Sequence, residues 1–358
     1  VIHGTDPAVV RDALDTEDPL PGTAGFAGEI DGRLVRDVLG RYPLFSESAG
    51  HRWSSDPTDL DDPRRVPAGV ARDGDRDEVV WTLPEPPVSD PDDAVDAVRD
   101  AVLNSVRDVD AERLAVAFSG GVDSGLVAAG VPDAPLYVAG FEGSHDVAAA
   151  RAAADAMDRE LRVVDLTHEA LERAVPELVS AIGRDNPMDI QIALPLYLTA
   201  ERVAADGYDH LAVGQGADEL FGGYSKVVDP AADHRVDADT VRGATREVVA
   251  TLPDQLERDV LALRAAGVEP VAPLLHDRVV DAALRLPAEL LATGDERKIA
   301  LRRAADGVVP DSVRSADKKA VQYGTYAARE LDRLARQAGF KRRMDDHVGQ
   351  YIRSLCDQ

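Results

Sequence analysis

The apolar positions change their rhythm near residue 110. Before it, short runs such as GFAGEI (25–30), RLVRDVLG (33–40) and EVVWTL (78–83) stand between Gly, Pro and Asp and predict strands and turns. PEPPVSDPDD (84–93) reads as a linker. Ala94, Val95, Val98, Ala101, Val102 and Val106 then recur near helical spacing and predict a helix over 94–108. From residue 114 short apolar runs alternate with longer helical patterns. LAVAF (114–118), LYVAGF (136–141), LRVVDL (161–166) and HLAVG (210–214) read as strands. Helices are expected from about 124, over 146–158, 168–182 and 192–206. Beyond about 254 the pattern is nearly all helical.

Such alternation predicts the α/β class: a parallel sheet with helices on both faces, a helical C-terminal part and a small β-rich N-terminal domain. The expected boundaries are 1–85 for the β domain, 86–110 for linker and helix, 111–335 for the α/β domain and 336–358 for a helical tail. No internal repeat is visible.

Charge narrows the function. The formal net charge is −26, spread along periodic apolar segments, which predicts an acidic surface on a folded protein. Such a surface repels nucleic acid and anionic membranes, so neither is expected as a partner. Only five lysines stand beside thirty-five arginines. An acidic, lysine-poor composition resembles proteins of salt-loving cytoplasms, where dense salt screens self-repulsion. Cys356 is the single cysteine, so neither an internal disulfide nor a cysteine zinc site is expected. No run of roughly 20 apolar residues and no signal-like N-terminal segment is present, and a cytoplasmic location is expected.

Two glycine-rich turns carry the candidate chemistry. SGGVDS (119–124) follows the strand at 114, at the carboxyl end of the expected sheet, where open α/β folds bind ligands. Gly120 and Gly121 permit close backbone approach, and the next helix directs N–H groups and a positive dipole at an anion. Ser119 and Ser124 add hydroxyls. Asp123 repels phosphate unless a cation intervenes, which implies Mg²⁺. GQGADELFGGY (214–224) follows the strand at 210 and belongs on the same edge. Its Gly214, Gly216, Gly222 and Gly223 allow tight approach, and Asp218 can join Asp123 on Mg²⁺.

SGGVDS resembles the PP-loop of ATP pyrophosphatases, which cleave ATP between the α and β phosphates. SGGVDS, PLYLTAERV (195–203) and GADELFGGY, in that order, resemble the synthetase domain of asparagine synthetase B, shared with β-lactam synthetases. Coverage runs from about 110 to 325. The resemblance implies that Ser119, Gly120, Gly121, Asp123, Ser124, Gly214, Gln215 and Gly216 bind ATP, and that Asp123 and Asp218 hold Mg²⁺. Lys298, in DERKIALRRAADGVVPDSV (295–313), falls on the family's catalytic lysine, and Lys318, in DKKAVQYG (317–324), on a loop lysine that reaches phosphate; Lys319 is a weaker match. The implied reaction adenylates a carboxylate, with the L-aspartate side chain leading, and passes the acyl group to ammonia or another amine.

Some residues depart from the family. GFAGEIDGRLVRDVLGRYPLF (25–45) resembles only the second half of a glutamine amidotransferase domain, and the nucleophilic cysteine is missing. Glutaminase activity is therefore not expected of these residues, which leaves ammonia in solution, a separate glutaminase subunit or another amine. Gln215 stands where the family has glutamate, and Gly183 where asparagine synthetases carry an acid, with Asp185 and Asp189 nearby. These changes weaken the implication of aspartate, not of adenylation. A β-lactam synthetase-like or other amide ligase is the alternative. A tRNA-modifying PP-loop enzyme fits less well, because such enzymes usually need a basic surface or cysteines. A non-catalytic nucleotide-binding partner of a glutaminase is opposed by Asp123, Asp218 and Lys298. A homodimer is compatible with the sequence.

Overall fold

The computed structural model describes residues 1–47, 52–141, 143–294, 296–316 and 323–357. Five parallel strands form its centre, in the order Leu161–Asp165, Leu136–Gly140, Leu114–Ala117, His210–Ala212 and Glu269–Val271. Register is set by Leu136 opposite both Leu161 and Val116, and by His210 opposite Leu114 and Glu269. Successive side chains of a strand face opposite ways. Leu114, Val116, Leu136 and Val138 enter the core on one face, with helices Pro91–Arg107, Val122–Gly130 and Asp277–Leu284. Ala115, Tyr137 and Ala139 enter the other, under helices His168–Ile182, Pro187–Ala205 and Leu252–Ala265. Burial on both faces explains why these strands read as unbroken apolar runs.

The strand Glu269–Val271 lies in the region whose pattern reads as helical. Three residues are too few to show a period, and Pro270 lacks an N–H. An edge strand tolerates both, and this one sits at the sheet's edge. The strand order places the first and fourth strands side by side, where the winding direction of the connections reverses.

The N-terminal body holds a five-stranded antiparallel sheet, Ile2–His3, Ala27–Ile30, Arg33–Arg36, Val70–Asp73 and Arg76–Val79, and a three-stranded one, Trp53–Ser54, Phe45–Glu47 and Pro63–Arg65. It also contains a helix, Pro7–Thr16, where only strands and turns are expected. Asp6 caps it by accepting from the Ala8 N–H, and Pro7 occupies its first turn. Only Val10 and Ala13 are buried, against Phe26, Val35 and Trp81, so its apolar stripe is too thin to announce itself. The helix expected from 94 begins at Pro91 behind an Asp90 cap. The preceding linker is strapped down, with the Ser89 N–H donating to the Arg285 carbonyl at 2.9 Å and Arg246 donating to the Pro84 carbonyl at 2.8 Å.

Buried charge joins the two bodies. Arg36, fully buried, donates to the Val66 and Gly40 carbonyls and meets Glu257 at 3.3 Å. Arg41 pairs with Asp37 at 2.9 Å and Asp277 at 2.8 Å, and the Thr23 N–H donates to Asp277 at 2.7 Å. Among the described residues no helix is long and apolar enough to cross a membrane.

Candidate active site

The first glycine-rich turn leaves the strand Leu114–Ala117 and opens the helix Val122–Gly130. Gly120 has φ +81°, and a Cβ there would lie 3.1 Å from the Ala149 carbonyl and Ala150 Cα, so the turn passes tightly over the helix His145–Ala156. Gly121 differs: a Cβ there would meet only the Ser119 hydroxyl, at 3.8 Å. It is also the N-cap of a helix with no side-chain cap. The helix's first N–H groups thus lack a side-chain acceptor, in a place with room for an anion. Ser124 is buried and braces the turn from within, accepting from the Ser119 N–H at 3.1 Å and donating to the Gly121 carbonyl at 3.3 Å. Ser119 remains exposed.

The second turn leaves the adjacent strand and packs on the first. A Cβ on Gly214 would stand 3.0 Å from Asp123 Cβ and 3.2 Å from the Ser124 nitrogen. Gly216, at φ +90°, lies against Leu275. The short helix Ala217–Leu220 then carries Asp218 and Glu219. Tyr224 donates to the buried Glu219 at 2.6 Å and closes the segment on itself. Burial pushes the Glu219 carboxyl up, and the Tyr224 hydrogen bond opposes that.

Lys298 joins the two turns. Its Nζ lies 2.6 Å from Asp123 Oδ2 and 2.8 Å from Asp218 Oδ1. The residue is 5% exposed. Burial pulls its ammonium pKa down, but Asp123 and Asp218 outweigh this and hold it above the ordinary lysine value, so it stays charged. Its backbone is left-handed, at φ 56° and ψ 38°, in front of the helix Ile299–Ala304. That conformation is unfavourable for a side-chain-bearing residue and persists where its surroundings impose it. Arg302 is one such neighbour: it donates to the Arg297 carbonyl at 3.1 Å, to the Arg314 carbonyl at 2.7 Å and to the Ala316 carbonyl at 3.0 Å.

Gly223 is the second requirement. A Cβ there would overlap Asp218 Oδ1 and come 2.5 Å from Lys298 Cε. Arg302 does not emerge from the sequence reading, and Gly223 does so only as a glycine that permits tight backbone approach, without its partners Asp218 and Lys298. The available signals are an arginine four residues after Lys298 and the second glycine of a pair.

The site therefore gathers Ser119, Gly120, Gly121, Asp123, Ser124, Gly214, Gly216, Asp218 and Lys298. Lys318 and Lys319 lie outside the described residues. The Gln215 side chain is engaged elsewhere: its Nε2 donates to Asp259 at 2.5 Å. Gly183, at φ +64°, terminates the helix His168–Ile182, which is why no acid-bearing residue is favoured there. Asp185 pairs with Arg353 at 3.5 Å, on the helix His347–Cys356. Asp189 meets Arg258 at 3.1 Å and Arg184 at 3.5 Å, and its carboxyl is held below the ordinary range: burial raises it, while Asn186 and the arginines lower it further.

A magnesium ion can be tested against these donors. Among the described residues no cluster of three or more His, Cys, Asp or Glu side chains converges. Asp123 Oδ1, however, is buried and has no hydrogen-bond partner. A buried carboxylate oxygen without a donor suits a cation, and Mg²⁺ is commonly held by one or two carboxylates, substrate phosphates and water. Asp123 and Asp218 fit that demand.

A glycine-rich turn at the switch point of a parallel sheet, beside a lysine-bridged acidic pair, stands where open α/β folds bind ligands. The asparagine synthase family model matches residues 95–242 and 228–353, and the chain belongs to that family. It is 28% identical over 298 residues to a putative glutamine-hydrolysing asparagine synthetase of Methanocaldococcus jannaschii, covering 73% of this chain and 54% of that protein. It is 25% identical over 337 residues to the glutamine-hydrolysing asparagine synthetase B of Escherichia coli, covering 83% of this chain and 60% of that one. A 31% match over 157 residues, to an asparagine synthetase of Bacillus subtilis, covers 41% of this chain and 24% of the other. The chain thus spans little more than half the length of the first two relatives.

Proposed function

We propose that this chain is an ATP-dependent, amide-forming ligase. It activates a carboxylate, foremost the side chain of L-aspartate, and transfers it to ammonia. The bridge from Lys298 to Asp123 and Asp218 carries this reading, because it sets a fixed cation between two anion-binding turns. ATP is placed with its phosphates over Gly120 and Gly121, at the uncapped helix. The carboxylate oxygen attacks the α-phosphorus, the bond to the β-phosphate bridging oxygen breaks, and pyrophosphate leaves. The mixed anhydride is then attacked at its acyl carbon by the amine, and AMP departs. Both steps build negative charge on oxygen, and Lys298, preorganised and desolvated, stabilises it. Mg²⁺, when bound, neutralises charge on the leaving pyrophosphate, and Asp123 and Asp218 are the residues that would hold it.

Residues 1–355 hold no cysteine, so the proposed ammonia reaches the site from a source other than a cysteine glutaminase within these residues. Gln215 and Gly183 support a second reading, an amide ligase acting on a different acid. The test is release of AMP and pyrophosphate in molar KCl with Mg-ATP, ammonium chloride and a panel of carboxylic acids. AMP and asparagine formed with L-aspartate uphold the first reading. AMP with another acid alone supports the second. No AMP with any acid overturns both.

A further inference from the structure

Arg302 holds both peptide groups that flank the Lys298 Cα. Its side-chain Nε donates to the Arg297 carbonyl at 3.1 Å, and its backbone N–H donates to the Lys298 carbonyl at 2.9 Å. The φ and ψ of a residue are the rotations of those two planar groups about its Cα. One residue therefore grips both sides of the left-handed turn. The lysine does not hold the turn by itself. It stands at the N-cap without a side-chain cap, where a serine, threonine or aspartate would ordinarily fix an extended backbone.

The rest of the guanidinium is anchored on another segment. Nη1 donates to the Arg314 carbonyl at 2.7 Å and Nη2 to the Ala316 carbonyl at 3.0 Å. Arg314 ends the short helix Asp311–Arg314, whose Val313 is fully buried. A Cβ on Gly125 would lie 2.7 Å from Val313 Cγ1, so this segment packs on the helix Val122–Gly130, which carries Asp123. The planar fork thus spans from the backbone of Lys298 to a segment seated on the helix of its ion-pair partner.

We infer that Arg302 is a positioning residue for the proposed reaction, on which this inference rests: it locks the Lys298 backbone and registers the ammonium against the helix of Asp123. The two flanking peptide groups set the direction of a Cα–Cβ bond. Release of the Arg297 carbonyl lets Lys298 relax from the left-handed region, which is unfavourable for it, and swings Nζ away from Asp123 and Asp218.

The test reads Arg302→Met and Arg302→Lys in AMP release, with whichever acid supports it in the parent chain, and in acetylation by limiting acetic anhydride mapped by mass spectrometry. Five lysines keep that map simple, and Lys226 and Lys341 serve as internal references. In Arg302→Met the kcat for AMP release is expected to fall about 10²-fold, with the KM for ATP changed by less than about twofold, because the glycine turns stay intact. Acetylation of Lys298 should rise about tenfold relative to both references, since the displaced amine loses its burial. Arg302→Lys reaches one carbonyl at a time and should fall between; it is read by the same criteria if Arg302→Met does not fold. In a Lys298→Ala background Arg302→Met should cost nothing further, because its effect passes through the ammonium. A kcat within about twofold of the parent value, a KM that rises as much as kcat falls, equal losses with and without Lys298, or unchanged acetylation of Lys298 overturns the inference. Absence of AMP with every acid in the parent chain overturns the proposed function instead, and acetylation of Lys298 then decides alone whether Arg302 positions it.

Discussion

At the scale of single residues the site depends on a lysine in a conformation lysine rarely adopts. Lys298→Ala is expected to lower AMP release about 10²–10³-fold, the scale for removing one preorganised charge stabiliser. Lys298→Arg should not rescue it, because a planar guanidinium cannot reproduce two contacts made by one compact ammonium. Steady-state AMP assays with a thermal melt of each variant check this. Gly223→Ala is expected to be nearly as damaging while the protein stays folded, since its methyl group falls where Asp218 and Lys298 meet. Near-parental activity would sink that account. The residues of both turns are legible in the sequence because glycine, acid and hydroxyl side chains follow apolar strands there. The left-handed backbone of Lys298 is not, because no glycine or turn signal marks it; Arg302 holds the preceding Arg297 carbonyl from the next helix turn. Gln215 is legible as a substitution, but its partner Asp259 is 44 positions away in sequence.

At the scale of elements, the four central strands and the helices between them can be read from period and length. Pro7–Thr16 and Glu269–Val271 cannot, the first for want of apolar positions and the second for want of length. One helix carries a pH-dependent cap. His276 accepts from the Arg278 N–H at 3.2 Å through Nδ1, at the start of Asp277–Leu284. Burial, with Arg278 and Arg41 adding to it, pushes its pKa down to about 4 from 6.5. A protonated imidazole cannot accept that hydrogen bond. The folded chain therefore binds fewer protons than the unfolded one between these values, and stability is lost as pH falls from 6.5 through 4. Urea midpoints measured across that range should drop, and His276→Asn, which caps without titrating, should flatten the drop. Arg36→Leu tests the junction between the bodies. It breaks a buried pair with Glu257 and removes two bonds to carbonyls, with an expected cost of about 3 kcal/mol or more in urea unfolding. Glu257 keeps Arg184 at 2.9 Å, which limits the loss.

At the scale of the whole molecule, charge rather than topology sets the working conditions. A net charge of −26 repels itself, and salt shortens the range of that repulsion. The melting temperature is expected to rise as KCl goes from about 0.1 M to molar concentrations, where the Debye length falls to about 3 Å. A flat or falling curve would show that the surface ion pairs, which salt weakens, outweigh the net repulsion. Composition alone makes this prediction, whereas the meeting of the two glycine turns needs the strand order, which no local stretch of sequence encodes.

The junction formed by Arg36, Asp37 and Arg41 has a consequence for engineering. It works as a keyed coupling: Asp277 in the large body is a lock fitted by the Arg41 guanidinium, and Glu257 is a second one that Arg36 shares with Arg184. A chimera that grafts a foreign module onto residues 86–358 inherits Asp277 without Arg41, while Glu257 loses Arg36 but keeps Arg184 at 2.9 Å. Such a graft should lose stability, chiefly at Asp277, unless the incoming module supplies an arginine at the Arg41 position or Asp277 is neutralised in the recipient first.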